Sequence, residues 1–323
     1  GSNPEYITSL TAQPDVFEHH IVNINHRCHP SITNYSNRLF NPACDLIPTD
    51  EIRVHRWSYQ GTQLDVSEQV SDSIQDIIEK GITDSYSKIG ILVRNNLSLE
   101  FLEQKLKVPF RIFDEDPLAV RNTRITNFFA SLLRYRFNTD YRINDVIETV
   151  ERYLRVQEKQ VPNLRRLIAD VKSKSFEELA ESNIIISENI FNCVISDSDK
   201  RLINSICVDS KLLKHYMPIN ENEVQVMTLH KSKGLEFDVV YHLDLYDWVH
   251  PKRLVVHGSW DIHYDNWEQE LNLHFVGITR AKKQAYISFS MNRFYQGDWI
   301  ESLASRFIEE LPKENVEQDS VTE

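Results

Sequence analysis

The stretch Val226–Leu245, VMTLHKSKGLEFDVVYHLDL, sets two short apolar runs on either side of a polar turn at Lys231-Ser232-Lys233-Gly234. Short apolar runs bounded by turn residues read as buried strands, here Glu223–Leu229 and Asp238–Leu245, with a turn into a short helix around Gly234. A lysine beside serine and glycine suggests a phosphate loop. Such a loop reads G-x-x-x-x-G-K-[ST], however, and that run occurs nowhere in the 323 residues.

Outward from this stretch, the same alternation recurs. Lys88–Asn96 reads as a strand, Ser98–Val108 as a helix with Ser98 at its N-cap, and Pro109–Phe113 as a second strand. Strand, helix and strand in so few residues form a βαβ unit, which implies a parallel sheet. Downstream, Glu268–Lys283 fits a helix and Gln284–Ser290 a closing strand. Between the two α/β blocks the texture changes. Residues 122–221 contain no glycine, and Phe128, Phe129, Leu132 and Leu133, then Val146, Ile147, Val150 and Tyr153, recur at helical spacing. The expected fold is α/β, a parallel sheet flanked by helices with a mainly helical insertion. Its two sequence-separated halves are 1–121 and 222–311, and 312–323 is a frayed acidic tail.

Composition narrows the function. With 41% hydrophobic and 26% charged residues the chain can bury a core. A net charge of −12 argues against binding nucleic acid through a broad basic surface, though not against gripping a strand in a narrow groove. The four cysteines form no C-x-x-C pair and no apolar run approaches a membrane span, so a cytoplasmic protein with reduced thiols and no membrane partner is expected.

Three ordered segments carry chemistry: Asn25-His26-Arg27-Cys28, Thr228 through Val240 (TLHKSKGLEFDVV), and Phe275 through Lys282 (FVGITRAK). Together they resemble motifs IV, V and VI of superfamily 1 helicases of the UvrD, Rep and PcrA type, in order, across roughly residues 15–290. The segment ILVRNNLSLEFLEQKLKVPFRIF is similar to the one that follows motif IV in these enzymes. Residues 3–10 (NPEYITSL) resemble the short helix after motif III. The phosphate loop, the magnesium-binding acidic motif and motif III are therefore expected on a preceding domain.

What the resemblance implies is a second RecA-like motor domain of an ATP-dependent DNA helicase moving 3′ to 5′, inactive without the first. The insertion matches the 2B subdomain in position. Arg27 and Arg280 match the two arginines that reach the γ-phosphate, where a planar, permanently charged guanidinium suits gathering negative charge. Glu236 matches a ribose contact, and His26 and Gly234 fall at the nucleotide side. His26 stands where Tyr usually stacks on adenine. Thr228, His230 and Lys231 fall at the single-stranded DNA side. Gly277 stands where Ala is common, a mild exchange. ATP and Mg2+ are the implied cofactors, both held mainly by the other domain, with single-stranded DNA as partner and a nuclease or repair protein as a further one.

Alternatives stay open: a non-catalytic helicase-like module that binds nucleic acid or protein, or the related helicase branch of opposite polarity, which the His29-Pro30 pair resembles. No metal site is expected, because the potential ligands in His26–His29 lie too close in sequence to close a tetrahedral zinc site. Asp114–Asp116 reads as a solvated turn. Trp248, Trp260 and Trp267 read as packing tryptophans in the loop between motifs V and VI.

Overall fold

A near-continuous apolar strand has both faces covered, and Ile89–Val93 (IGILV) is buried along its whole length. In the computed structural model, which describes residues 25–255, 258, 261–309 and 317–321 together with Ser9 and Val16, this strand lies near the middle of a parallel sheet. In chain order the sheet and its covering helices are α1 (Pro30–Arg38), β1 (Val54–Thr62), α2 (Gln63–Glu79), β2 (Ile89–Val93), α3 (Asn96–Lys105) and β3 (Phe110–Phe113). After the insertion come β4 (Val224–Thr228), β5 (Phe237–His242), α11 (Trp267–Ile278) and β8 (Ala281–Tyr295). A small hairpin, β6 (Arg253–Leu254) and β7 (His263–Tyr264), precedes α11. Strand β9 (Asp298–Glu301), α12 (Arg306–Glu309) and β10 (Glu317–Val321) close the chain.

The sheet order is β10-β1-β8-β5-β2-β4-β3, all parallel, with β9 added antiparallel to β8. The expected βαβ unit exists, but β4 lies between β2 and β3. Side-chain alternation splits the sheet into two cores. Leu92 and Val240 face one side with Ile32 and Tyr35 of α1 and Ile278 of α11. Ile91, Val93, Val239 and Tyr241 face the other, with Val66, Val70 and Ile74 of α2. The fold is α/β with a RecA-like parallel sheet.

The insertion has a third core of its own. Helices α4 (Pro117–Arg121), α5 (Arg124–Phe137), α6 (Ile143–Glu151), α7 (Val161–Asp170), α8 (Phe176–Phe191), α9 (Asp197–Val208) and α10 (Ser210–Leu213) pool buried residues from Leu118 to Tyr216.

Several local expectations are corrected. Helix α3 is capped not by Ser98 but by Asn95, whose Oδ1 accepts the Ser98 N–H at 3.1 Å. Around Gly234 the chain forms hydrogen-bonded turns over 229–234 and no helix, because eight residues must return it to the start of β5. Helix α11 stops at Ile278, where Ala281 is already paired with Phe237. Residues 317–321, expected to fray, pair with β1. Asp116 is no solvated turn: it caps α4 and accepts the Tyr216 hydroxyl at 2.5 Å. Trp267 begins α11 and packs on Phe307 at 5.1 Å. Apart from Ser9, the helix expected at 3–10 lies outside the described residues, as do Asn23, Ile24, Trp260 and the rest of the tail.

Candidate functional site

In a parallel sheet every connection must run from the carboxyl edge of one strand to the amino edge of the next. Two such connections matter. The first leaves β4 at Thr228 and enters β5 after Glu236. Thr228 is paired with Val93, and Leu92 with His242, so Thr228 stands level with Leu243. Glu236 lies seven positions before Leu243, about 23 Å away along the strand at roughly 3.3 Å per residue. The second connection leaves β5 at His242 and returns through α11 to Arg280, just ahead of β8.

At the amino edge three chain segments are joined by main-chain hydrogen bonds. Phe237 N–H donates to Arg280 O at 2.9 Å, and His29 N–H donates to Lys282 O at 2.7 Å. Asn25 Oδ1 accepts from the Arg27 and Cys28 N–H groups at 2.9 and 3.2 Å, which turns the loop ahead of α1. These contacts bring Arg27, Glu236 and Arg280 together from positions over 250 residues apart in sequence.

Arg27 Nε lies 2.8 Å from Glu236 Oε1, and Lys282 Nζ lies 3.0 Å from Oε2. Arg280 donates from Nε to Val276 O at 3.0 Å and from Nη1 to Leu235 O at 3.1 Å. The Glu236 carboxyl is held below its ordinary range, first by the Lys282 hydrogen bond and then by the charges of Arg27, Lys282 and Arg280. Burial and then the charge of Arg27 disfavour the Arg280 guanidinium. Two arginines close enough to repel, with a lysine beside them and one carboxylate between, leave an excess of positive charge suited to a polyanion. Lys282 was missed as a site residue in the sequence reading, although it completes the T-R-A-K run.

The other expected positions fall as follows. His26 is exposed in the loop that carries Arg27. Gly234 adopts φ +89, a conformation that favours glycine, and an added Cβ would meet nothing within 4 Å, so its place is explained by the turn alone. At the opposite edge His230 and Lys231 are exposed and Thr228 is half-buried.

Behind that carboxyl edge lies a cluster that local sequence patterns do not signal. Arg94, just after β2, grips Glu270 of α11 with two hydrogen bonds, Nη2 to Oε1 at 2.6 Å and Nε to Oε2 at 3.2 Å. His250 Nδ1 meets Oε2 at 2.5 Å. Burial would raise the Glu270 carboxyl, but His250 and Arg94 together lower it to about 2. Burial keeps His250 neutral, so this contact is an N–H donated to a carboxylate rather than an ion pair. Gly277 is no mild exchange here, since a Cβ would sit 2.6 Å from Leu229 Cδ2 and 2.9 Å from His242 Cδ2. Its absence lets α11 lie directly on the ends of β4 and β5.

The UvrD-like helicase C-terminal domain family matches residues 122–292. The ATP-dependent DNA helicase Rep of Buchnera aphidicola subsp. Acyrthosiphon pisum (strain APS) is 37% identical over 109 residues, covering 34% of the chain and 15% of that protein. The Gabija protein GajB of Bacillus cereus (strain VD045) is 22% identical over 320 residues, covering 98% of the chain and 59% of that protein. The C-terminal domain of a possible DNA helicase from Lactobacillus plantarum WCFS1 superposes with a TM-score of 0.38 at 10% identity, over 91% of the chain and 99% of that structure. The chain thus spans 15% of the Rep protein's length and 59% of the GajB protein's.

Proposed function

The chain belongs to the UvrD-like helicase C-terminal domain family, and from that premise we propose that it is the second motor domain of an ATP-dependent DNA helicase translocating 3′ to 5′. Its partner in catalysis is an N-terminal RecA-like domain that holds most of the ATP and its Mg2+. The observation that carries this reading is the convergence of Arg27, Arg280 and Lys282 around Glu236 at the amino edge.

The donor set fits a nucleotide triphosphate better than a metal: three cations and a single carboxylate offer little to Mg2+, which prefers several oxygen ligands. In ATP hydrolysis water attacks the γ-phosphorus and ADP leaves, and negative charge gathers on the γ-oxygens. Arg27 and Arg280 neutralise that charge from this side of the cleft. Glu236 is freed from Arg27 as the polyphosphate arrives and receives a ribose hydroxyl. His26, exposed on the same loop, lies against the base. Before nucleotide binds, Arg280 is held on the carbonyls of Val276 and Leu235 and must leave them to reach the phosphate.

At the far edge Thr228, His230 and Lys231 face the DNA backbone. Motif V then joins the two sites directly, since one short segment ends at the DNA side with Thr228 and at the nucleotide side with Glu236. Helix α11 does the same with Arg280 at its amino-edge end. A shift of either arginine toward phosphate pulls on a segment anchored at the other edge, which gives hydrolysis a route to the strand grip.

The test is single-strand-stimulated ATP hydrolysis. In the longer protein Arg27→Ala or Arg280→Ala is expected to lower kcat by about 10³-fold or more, with DNA affinity in the absence of nucleotide unchanged. The 323-residue chain by itself should show no turnover. Robust turnover by this chain, abolished by Arg280→Ala, would overturn the need for a second domain. Unchanged rates in the longer protein would leave a non-catalytic binding module as the better reading.

A further inference from the structure

Among the described residues, three histidines have no exposed surface and belong to neither the nucleotide nor the DNA site. His242 ends β5, His250 lies in the loop after it, and His274 lies in α11. All three are fully buried. One ring nitrogen from each lies within 4.8 Å of one from each of the others. We propose that His242, His250 and His274 bind one divalent transition-metal ion of the zinc class, which pins the end of β5 to the motif VI helix.

The hydrogen bonds indicate which nitrogens face inward. His242 Nδ1 meets Leu243 O at 3.1 Å, and a carbonyl can only accept, so Nδ1 carries the proton and Nε2 is a bare lone pair. His274 Nδ1 lies 3.1 Å from that Nε2, and His274 Nε2 lies 2.9 Å from the Tyr35 hydroxyl. His250 Nδ1 is committed to Glu270, which Arg94 holds from its other side. Its Nε2 is buried and, among the described residues, has no hydrogen-bond partner. A buried lone pair without a donor is costly and calls for an explanation such as an ion.

Three imidazole nitrogens would supply three corners of a tetrahedron, with a water as the fourth ligand. Zinc–nitrogen bonds of about 2.0–2.1 Å set ligating nitrogens roughly 3.3–3.4 Å apart, close to the His242–His274 separation. The three ring nitrogens lie within 4.8 Å of one another, so the widest pair closes by at most about 1.4 Å to reach that spacing, a side-chain adjustment. On binding, the proton of His274 Nδ1 moves to Nε2 and is donated to the Tyr35 oxygen, so the ring stays neutral. Each ligand would then keep an outer partner on its second nitrogen: Leu243 O, Tyr35, and Glu270 backed by Arg94. That is the arrangement metal-ligating histidines use to fix their orientation. An all-imidazole set selects zinc, copper, nickel or cobalt over magnesium or calcium. Phe307 stacks on His274 at 5.2 Å and closes the site, so the ion acts as a structural pin.

The experiment uses the 323-residue chain stripped with a chelator and then titrated with Zn2+ or Co2+. Expected are one ion per chain, an intense visible Co2+ spectrum of tetrahedral type, and a rise in Tm on adding Zn2+. His250→Asn keeps an amide where Nδ1 donates to Glu270 but removes the ligand, and should weaken Zn2+ binding roughly 100-fold or more, beyond the ~10–100-fold expected for losing an outer partner in Glu270→Gln. Circular dichroism of each variant confirms that it folds. Absence of stoichiometric binding, a weak octahedral Co2+ spectrum, or equal affinity in His250→Asn would overturn the proposal.

Discussion

At the amino edge of the sheet Arg27 and Glu236 meet with side chains 42% and 36% exposed; at the carboxyl edge Arg94 and Glu270 meet at 22% and 11%. The chemistry of the two pairs is the same and their physics is not. An exposed pair is screened by water and contributes little to folding, so its charges are free to exchange one partner for another. A pair withdrawn from water is committed: removing one member strands the other in a poor solvent. The amino-edge pair is therefore free to change partners, and the carboxyl-edge pair holds α11 in place. A single helix serves both. It starts beside Glu270 and ends beside Arg280, about 18 Å away for 12 residues at roughly 1.5 Å each.

This contrast can be broken most directly at Glu270. In chelator-treated protein Glu270→Ala leaves Arg94 and His250 without their acceptor and is expected to lower stability by about 3 kcal/mol, read from urea unfolding. A loss near zero would mean that the carboxyl edge is as forgiving as the amino edge. Next in size is Gly277→Ala. Its methyl group has no room against Leu229 and His242, so a loss of about 2 kcal/mol is expected; an unchanged unfolding midpoint would show that α11 can back away from β5 freely. Tyr35→Phe removes one buried hydrogen bond to His274 and should cost about 1 kcal/mol. A neutral result there would place His274 outside the network.

The smallest thermal effect is expected at the amino edge itself. Glu236→Ala should leave Tm unchanged while strengthening the binding of pyrophosphate, because Arg27 and Lys282 lose their resident carboxylate. That gain should fade as salt is raised. A large drop in Tm would erase the distinction between the two edges.

Much of the amino-edge site was legible beforehand. Arg27, Glu236 and Arg280 stand in recognisable runs, and a run of residues carries its spacing in one dimension. Lys282 stood in the same run, but nothing local says that its ammonium reaches Glu236. The histidines were not legible at all. His242 reads as one more position in an apolar strand, and His250 and His274 lie in unremarkable surroundings. Their meeting depends on α11 folding back over β5, which Gly277 permits. Gly277 itself looked like a minor exchange because the crowding that requires glycine comes from Leu229 and His242, both distant in sequence.

The amino-acid sequence by itself determined the kinds of elements, the helical texture of 122–221 and the charged residues of the three motifs. Periodicity, turn chemistry and ionisation are properties of neighbouring residues. Only the tertiary structure decided that β4 enters between β2 and β3, that 317–321 pairs beyond β1, and that the motifs place their two ends on opposite edges. Parallel pairing joins strands through long crossovers, so which strands become neighbours depends on how distant apolar faces are buried together, and no local stretch records it.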